Sequence, residues 1–186
     1  MELIKTDGTS ERQLFQTLRS RSRVVDRKVT AAVSEILEAV RERGDAAVRA
    51  YTLQFDGQCP EAFEVEREAI NDALTQADPA FVEALLSAQE NIAAFHNRQK
   101  QQSFIDTQPS GVIMGQRVRG LARVGLYVPG GTAAYPSSVP MNCVPAKIAG
   151  VGEIIMVTPP QKDGTANPDI LVAAAIAGVD RVFLAG

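Results

Sequence analysis

A chain of 186 residues, 45% apolar and 22% charged, has the balance of a soluble globular protein and can build one sizeable core or two small ones. Its formal charge of −3 offers no electrostatic footprint for nucleic acid or for an anionic membrane. One histidine and two cysteines exclude a zinc ribbon, and a catalytic zinc site or a Ser-His-Asp arrangement would have only His96 to draw on.

No stretch reaches the roughly 18 apolar residues that a membrane helix requires. Met1-Glu2-Leu3-Ile4-Lys5 lacks the basic segment, apolar run and cleavage site of a secretory leader. Cys59 and Cys143 lie far apart, so a cytoplasmic chain with reduced thiols is the expectation. The basic cluster Arg19, Arg21, Arg23, Arg27 and Lys28 reads as a solvated face.

In chain order the first hundred residues read as helical. Thr9 and Ser10 are candidate caps for a helix with Leu14, Phe15 and Leu18 on one face. Val33, Ile36, Leu37 and Val40 follow the i, i+3, i+4, i+7 spacing, and that helix stops near Gly44. Asp45 caps a third helix, expected to end before Phe55-Asp56-Gly57, where Asp-Gly favours a turn. Glu66 to Ala77 is helical in spacing. Asp78-Pro79 then supplies a cap and a first-turn proline for a long helix to about Gln101, with Phe81, Leu85, Ala88, Ile92 and Phe95 on its buried side.

Beyond residue 110 the pattern changes. Val112-Ile113-Met114 and Arg117-Val118-Arg119 predict a short hairpin turned at Gly115. Strand and helix then alternate: Arg123–Val128 as strand, Pro136–Ala149 as helix, Glu153–Thr158 as strand, Pro168–Ala177 as helix and Arg181–Leu184 as strand. Pro140 and Pro145 are expected to kink the first of these helices or delay its start. The β-α-β-α-β order predicts a parallel sheet with right-handed crossovers, matching one Rossmann-like mononucleotide-binding half. The α/β chain thus divides loosely at 103–111, into a mainly helical region, 1–105, and a partial Rossmann-like domain, 106–186.

The segment richest in chemistry is Arg123-Val-Gly-Leu-Tyr-Val-Pro-Gly-Gly-Thr132. Its apolar strand runs into Pro129-Gly130-Gly131, and glycines at the carboxyl end of a parallel strand let a ligand approach the backbone. The helix that follows is expected to present unpaired N–H groups and a positive dipole end to a phosphate. Taken alone, the Pro-Gly-Gly also fits a tight turn with no ligand, and it matches neither G-x-G-x-x-G nor a P-loop. Tyr127 could stack on a nucleotide or simply pack in the core. Val157-Thr158-Pro159-Pro160 reads as a stiff strand exit. Cys143 reads as a small buried residue and His96 as structural, without a partner that would make it a base.

At Val124-Gly-Leu-Tyr-Val-Pro-Gly-Gly131 the sequence resembles the histidinol dehydrogenase family. The resemblance runs on through Tyr135-Pro-Ser-Ser-Val139, Val144-Pro-Ala-Lys-Ile-Ala-Gly-Val151, Pro159-Pro160 and Ala174-Ala-Ile-Ala-Gly-Val179. Upstream it takes in Gly44-Asp45, Phe55-Asp56, Asn91-Ile92 and Phe95-His96 with Gln99. It implies a zinc-requiring, homodimeric enzyme of histidine biosynthesis, using NAD to oxidise L-histidinol through histidinal to L-histidine. Tyr127 matches a tyrosine that contacts NAD in that family, and Pro129 lies in the same loop; Gly130 and Gly131 join them on the loop argument alone. The family's zinc ligands and its Glu-His acid–base pair lie beyond position 186, so no catalytic or metal residue falls in this chain. The expectation is an N-terminal fragment, inactive alone; the alternative is a stand-alone nucleotide-binding or protein-interaction module derived from the family.

Overall fold

The computed structural model describes residues 4, 6–23, 27–130 and 134–186. By internal packing the chain divides into two compact units, Met1–Val48 and Arg49–Gly186. The first holds α1 (Ser10–Arg23), α2 (Arg27–Arg43) and the start of α3 (Asp45–Asp56). The α1 entry is tied by Asp7, whose carboxylate accepts from the Thr9 and Ser10 N–H groups at 2.9 and 2.7 Å, rather than by the Thr9 or Ser10 side chains acting as caps. Glu11 reaches back to the Asp7 and Gly8 N–H groups, which ties the segment before the helix to its first turn. The predicted apolar stripe of α2 forms at helical spacing, yet no residue of that helix is buried, and Val33 and Leu37 are exposed.

In the second unit α3 runs on through Asp56, two residues past the predicted stop, and ends at Gly57. α4 (Arg67–Gln76) and α5 (Pro79–Asn97) follow. Asp78 caps α5 by accepting from the Ala80 N–H at 2.9 Å, with Pro79 in the first turn, as its sequence signature predicts. The buried side of α5 centres on Leu85. Phe95, predicted to share it, is 61% exposed and sets its ring edge-on to His96. The helix ends one turn earlier than expected, so Phe95 falls in the last turn, beyond the packed part.

The hairpin also differs from its prediction. β1 (Phe104–Thr107) pairs antiparallel with β2 (Ile113–Gln116), and the turn lies over 108–112, where Gln108 and Gly111 are hydrogen-bonded. Gly115 sits within β2, opposite Ile105, instead of at the turn. Pro109-Ser110-Gly111 carries stronger turn chemistry than a lone glycine flanked by methionine and glutamine. All eight strand residues of the hairpin are exposed.

The predicted β-α-β-α-β unit is present: β3 (Arg123–Tyr127), α6 (Ser138–Ile148), β4 (Glu153–Thr158), α7 (Pro168–Ala177) and β5 (Arg181–Leu184). The three strands form one parallel sheet in the order β3-β4-β5. Val124 and Leu126 register with Ile154 and Met156, and Met156 with Val182, so one face of the sheet is a continuous apolar surface. Helices α6 and α7 pack together, with α4 and α5 against them, and the core fills with Val139, Cys143, Ile170 and Ala174. Pro140 lies in the first turn of α6, where its missing N–H costs little. Pro145 sits inside without breaking the helix, whose start is delayed from Pro136 to Ser138. The outer edge of β5 is covered by Phe63–Val65, bonded through Val65 N–H to Val182 O and Leu184 N–H to Phe63 O. There Arg181 grips the Glu64 carboxylate with two 2.7 Å bonds, which holds that carboxyl below its usual range.

Ile154 is 1% exposed at the centre of this core. Ile154→Ala is expected to cost about 2–5 kcal/mol in urea unfolding, through lost transfer energy and the cavity left behind. A loss under 1 kcal/mol would mean that the core collapses around the gap.

Candidate functional site

Parallel pairing brings three strand exits to one side of the sheet. β3 continues through Val128, whose N–H bonds Val157 O at 2.9 Å, into Pro129 and Gly130. β4 ends in Thr158 and the buried pair Pro159-Pro160. β5 ends in Ala185, whose N–H donates to Thr158 O at 3.0 Å, and then Gly186. Thr158 therefore touches the exits of both neighbouring strands.

Tyr127 stands on the sheet face opposite the core and is 58% exposed. Its ring takes no part in the core cluster of the described residues. Pro129 is exposed and Gly130 buried. A Cβ on Gly130 would lie 2.6 Å from the Thr158 hydroxyl oxygen and 3.5 Å from Pro159 O. The backbone thus rests directly on the β4 exit, an approach open only to glycine. Gly131, the fourth residue of the predicted set, lies outside the described residues. Tyr127, Pro129 and Gly130 are brought to one strand end.

The Thr158 side chain is the residue that sequence reasoning missed. It is 0% exposed, and its hydroxyl has no hydrogen-bond partner. A buried hydroxyl with no partner is a free-energy deficit that packing alone does not explain. The available signal was a hydroxyl residue at a strand end directly before two prolines.

The phosphate-binding expectation for α6 is not met. The Ser138 and Val139 N–H groups donate to the carbonyls of Tyr135 and Pro136, and Pro140 has none to offer. The first turn of α6 is largely self-satisfied, so the dipole end carries few free donors.

Cys143 is fully buried and its thiol donates to Ala177 O at 3.3 Å. Burial pushes its pKa up, against the pull of Lys147. His96 Nδ1 meets Gln99 Oε1 at 2.7 Å, at the amino ends of the strands, away from the glycine loop. There His96, Lys100, Arg119 and Gly120 line an open cavity of about 540 Å³. Among the described residues no three His, Cys, Asp or Glu side chains converge as metal ligands, and no helix is long and apolar enough to cross a membrane. The donor set needed for zinc is thus not found on the described residues.

These features define a class: an α/β chain whose helices lead into a Rossmann-like parallel half with a glycine-floored strand exit. The sequence model of the histidinol dehydrogenase family matches residues 19–186. The chain is 46% identical over 186 residues to the histidinol dehydrogenase of Clostridium acetobutylicum, covering 100% of this chain and 43% of that one. It is 53% identical over 160 residues to that of Moorella thermoacetica, covering 85% and 38%. The crystal structure of histidinol dehydrogenase from Elizabethkingia anophelis superposes with a TM-score of 0.79 at 31% identity, covering 85% of this chain and 36% of that one. The chain belongs to the histidinol dehydrogenase family. It spans less than half the length of these relatives and corresponds to their N-terminal portion.

Two measurements test the geometry. Gly130→Ala is expected to lose about 1–3 kcal/mol in urea unfolding, and adding Thr158→Ala should recover part of it by removing the clash. A Gly130→Ala protein as stable as the parent would show that the loop yields freely. At pH 8, a thiol reagent is expected to label half-buried Cys59 in the folded state and Cys143 only on unfolding. Because the folded pKa of Cys143 is raised, its contribution to stability is present below the ordinary thiol value near 9.0 and falls as pH rises above it.

Proposed function

We propose that this chain is the amino-terminal part of an NAD-dependent, zinc-requiring histidinol dehydrogenase, and that it supplies one wall of the cofactor site. The observation that carries the reading is the β3 exit, where the exposed Tyr127 ring and Pro129 stand at a loop whose buried Gly130 is seated on Thr158. These residues fit a dinucleotide: a ring face for stacking, a proline that shapes the loop, and a glycine that lets the loop lie close against the β4 exit. Tyr127, Pro129 and Gly130 are the cofactor contacts of this reading, with Gly131 following in the loop. Residues 106–186 form the partial NAD-binding domain and 1–105 its mainly helical prelude.

When bound, NAD would serve as hydride acceptor twice: one NAD takes L-histidinol to histidinal, and a second, with uptake of water, takes histidinal to L-histidine. The residues of this chain hold and orient the cofactor and exclude water from one side of it; the zinc ligands and the proton-transferring pair belong to the remainder of the longer enzyme. No step of the chemistry is therefore assigned to a side chain of residues 1–186. A homodimer and a cytoplasmic location complete the reading. They rest on the family resemblance and, for the location, on two cysteines that are free thiols in the fold.

The 186-residue chain alone is expected to form no NADH from histidinol and to bind NAD weakly, since only part of the pocket is supplied. In the full-length enzyme, Tyr127→Ala should raise KM for NAD about tenfold, the order of one aromatic contact, while KM for histidinol changes little. Zinc-dependent turnover by the 186-residue chain, or an unchanged KM for NAD in the variant, would sink the reading.

A further inference from the structure

The cavity at the amino ends of the strands lies where α5 and α6 end, at the opposite end of the sheet from the glycine loop. Its volume of about 540 Å³ falls in the range of small-molecule sites, roughly 300–1,000 Å³. Val118, Leu121, Pro145 and Ile148 give it apolar walls, and Lys100 and Arg119 give it positive charge. Among the described residues no acidic side chain lines it, and neither Lys100 nor Arg119 belongs to an ion pair.

The walls are built rather than left over. The Ser103 hydroxyl accepts from the Val118 N–H at 2.8 Å and donates to Val118 O at 3.3 Å, fixing that residue through both backbone groups. Two residues on, Gly120 rests against the turn that ends α6, where a Cβ would overlap the Gly150 carbonyl. Leu121 O then accepts from the Gly152 N–H at 3.2 Å. Arg119 is therefore carried between two pinned neighbours. On α5, His96 is tied to Gln99 at 2.7 Å. The helix ends that border the cavity need no cation to complete them. The Ala149, Gly150 and Val151 N–H groups return to the carbonyls of Pro145, Lys147 and Ala146, and those of Arg98 and Gln99 to Phe95 and His96. Two cations beside apolar walls, with no carboxylate of the chain to hold, call for an anion with a hydrocarbon part.

We propose that this cavity binds a small organic carboxylate with an apolar body. The planar Arg119 guanidinium matches a carboxylate fork, Lys100 adds a second charge, and Val118, Leu121, Pro145 and Ile148 cover the hydrocarbon. The pinned wall lowers the ordering cost of binding. The inference stands apart from the cofactor reading, because no residue of the glycine loop lines the cavity.

The test is calorimetric titration of the full-length protein with hexanoate, expected to bind with a Kd of about 1 mM or tighter. Arg119→Ala should weaken binding about tenfold and Lys100→Ala about threefold. Arg98→Ala, which removes an exposed cation that does not line the cavity, should change nothing. All three side chains are exposed, so the core is intact in each variant. Hexylammonium should not bind, and inorganic phosphate should bind at least about tenfold more weakly than hexanoate. No binding of hexanoate to the full-length protein overturns the inference, as does an unchanged Kd in Arg119→Ala. Equal binding of hexylammonium removes the anion, and equal binding of phosphate removes the apolar body; either result overturns the proposal. Weakening by Tyr127→Ala would place the ligand at the glycine loop and overturn it as well, whereas the NAD kinetics of that variant judge the cofactor reading separately.

Discussion

The parallel pairing of β4 with strands on both sides is the constraint on which the rest depends. β4 is the middle strand, and its inward side chains Ile154, Met156 and Thr158 are at most 1% exposed. Parallel strands cannot be joined by tight turns, so each crossover needs a helix, and α6 and α7 supply the two. Their apolar sides cover the Val124, Leu126, Met156 and Val182 face and close the core. The same direction of travel puts all three carboxyl ends on one side. Core packing and site placement are consequences of one hydrogen-bond register.

That register makes Thr158 the hub of the strand ends. Its carbonyl receives the Ala185 N–H, its hydroxyl underlies Gly130, and the prolines after it keep the exit stiff. Among the described residues three buried side-chain atoms lack a hydrogen-bond partner: Asp56 Oδ2, Gln89 Oε1 and Thr158 Oγ1. Two of the three lie at this one end of the sheet. The third, Gln89 Oε1, lies on α5, so among the described residues the unpartnered atoms cluster at the strand exits without being confined to them. The amino end is different in kind. Its cavity presents Lys100, Arg119 and the His96–Gln99 pair, with that histidine already occupied by its neighbour.

The differences between expectation and structure have a common origin in context. Gly115 looked like a turn because β1 was not foreseen; Phe104-Ile-Asp-Thr107 is short and mixed, and only its pairing with β2 makes it a strand. Phe95 kept the helical spacing of the residues before it but passed the point where α6 and α7 cover α5. Free donors at the start of α6 were expected from helix geometry. The 135–137 turn takes two of them, and Pro140 removes a third.

What the sequence determined by itself is local and periodic. Spacing located the helices, Asp78-Pro79 marked one start by a cap that the structure reproduces, and the alternation after residue 120 set the parallel sheet. The Tyr-Val-Pro-Gly-Gly block with its flanking motifs carried the family. Only the tertiary structure decided that Phe63–Val65 covers the edge of β5 and that Thr158 forces glycine at 130. Each of these joins residues separated by 28 to well over 100 positions. Such contacts leave no repeat in the sequence, because the chain between them folds under its own local preferences, and nothing short of the packed core fixes where its ends meet.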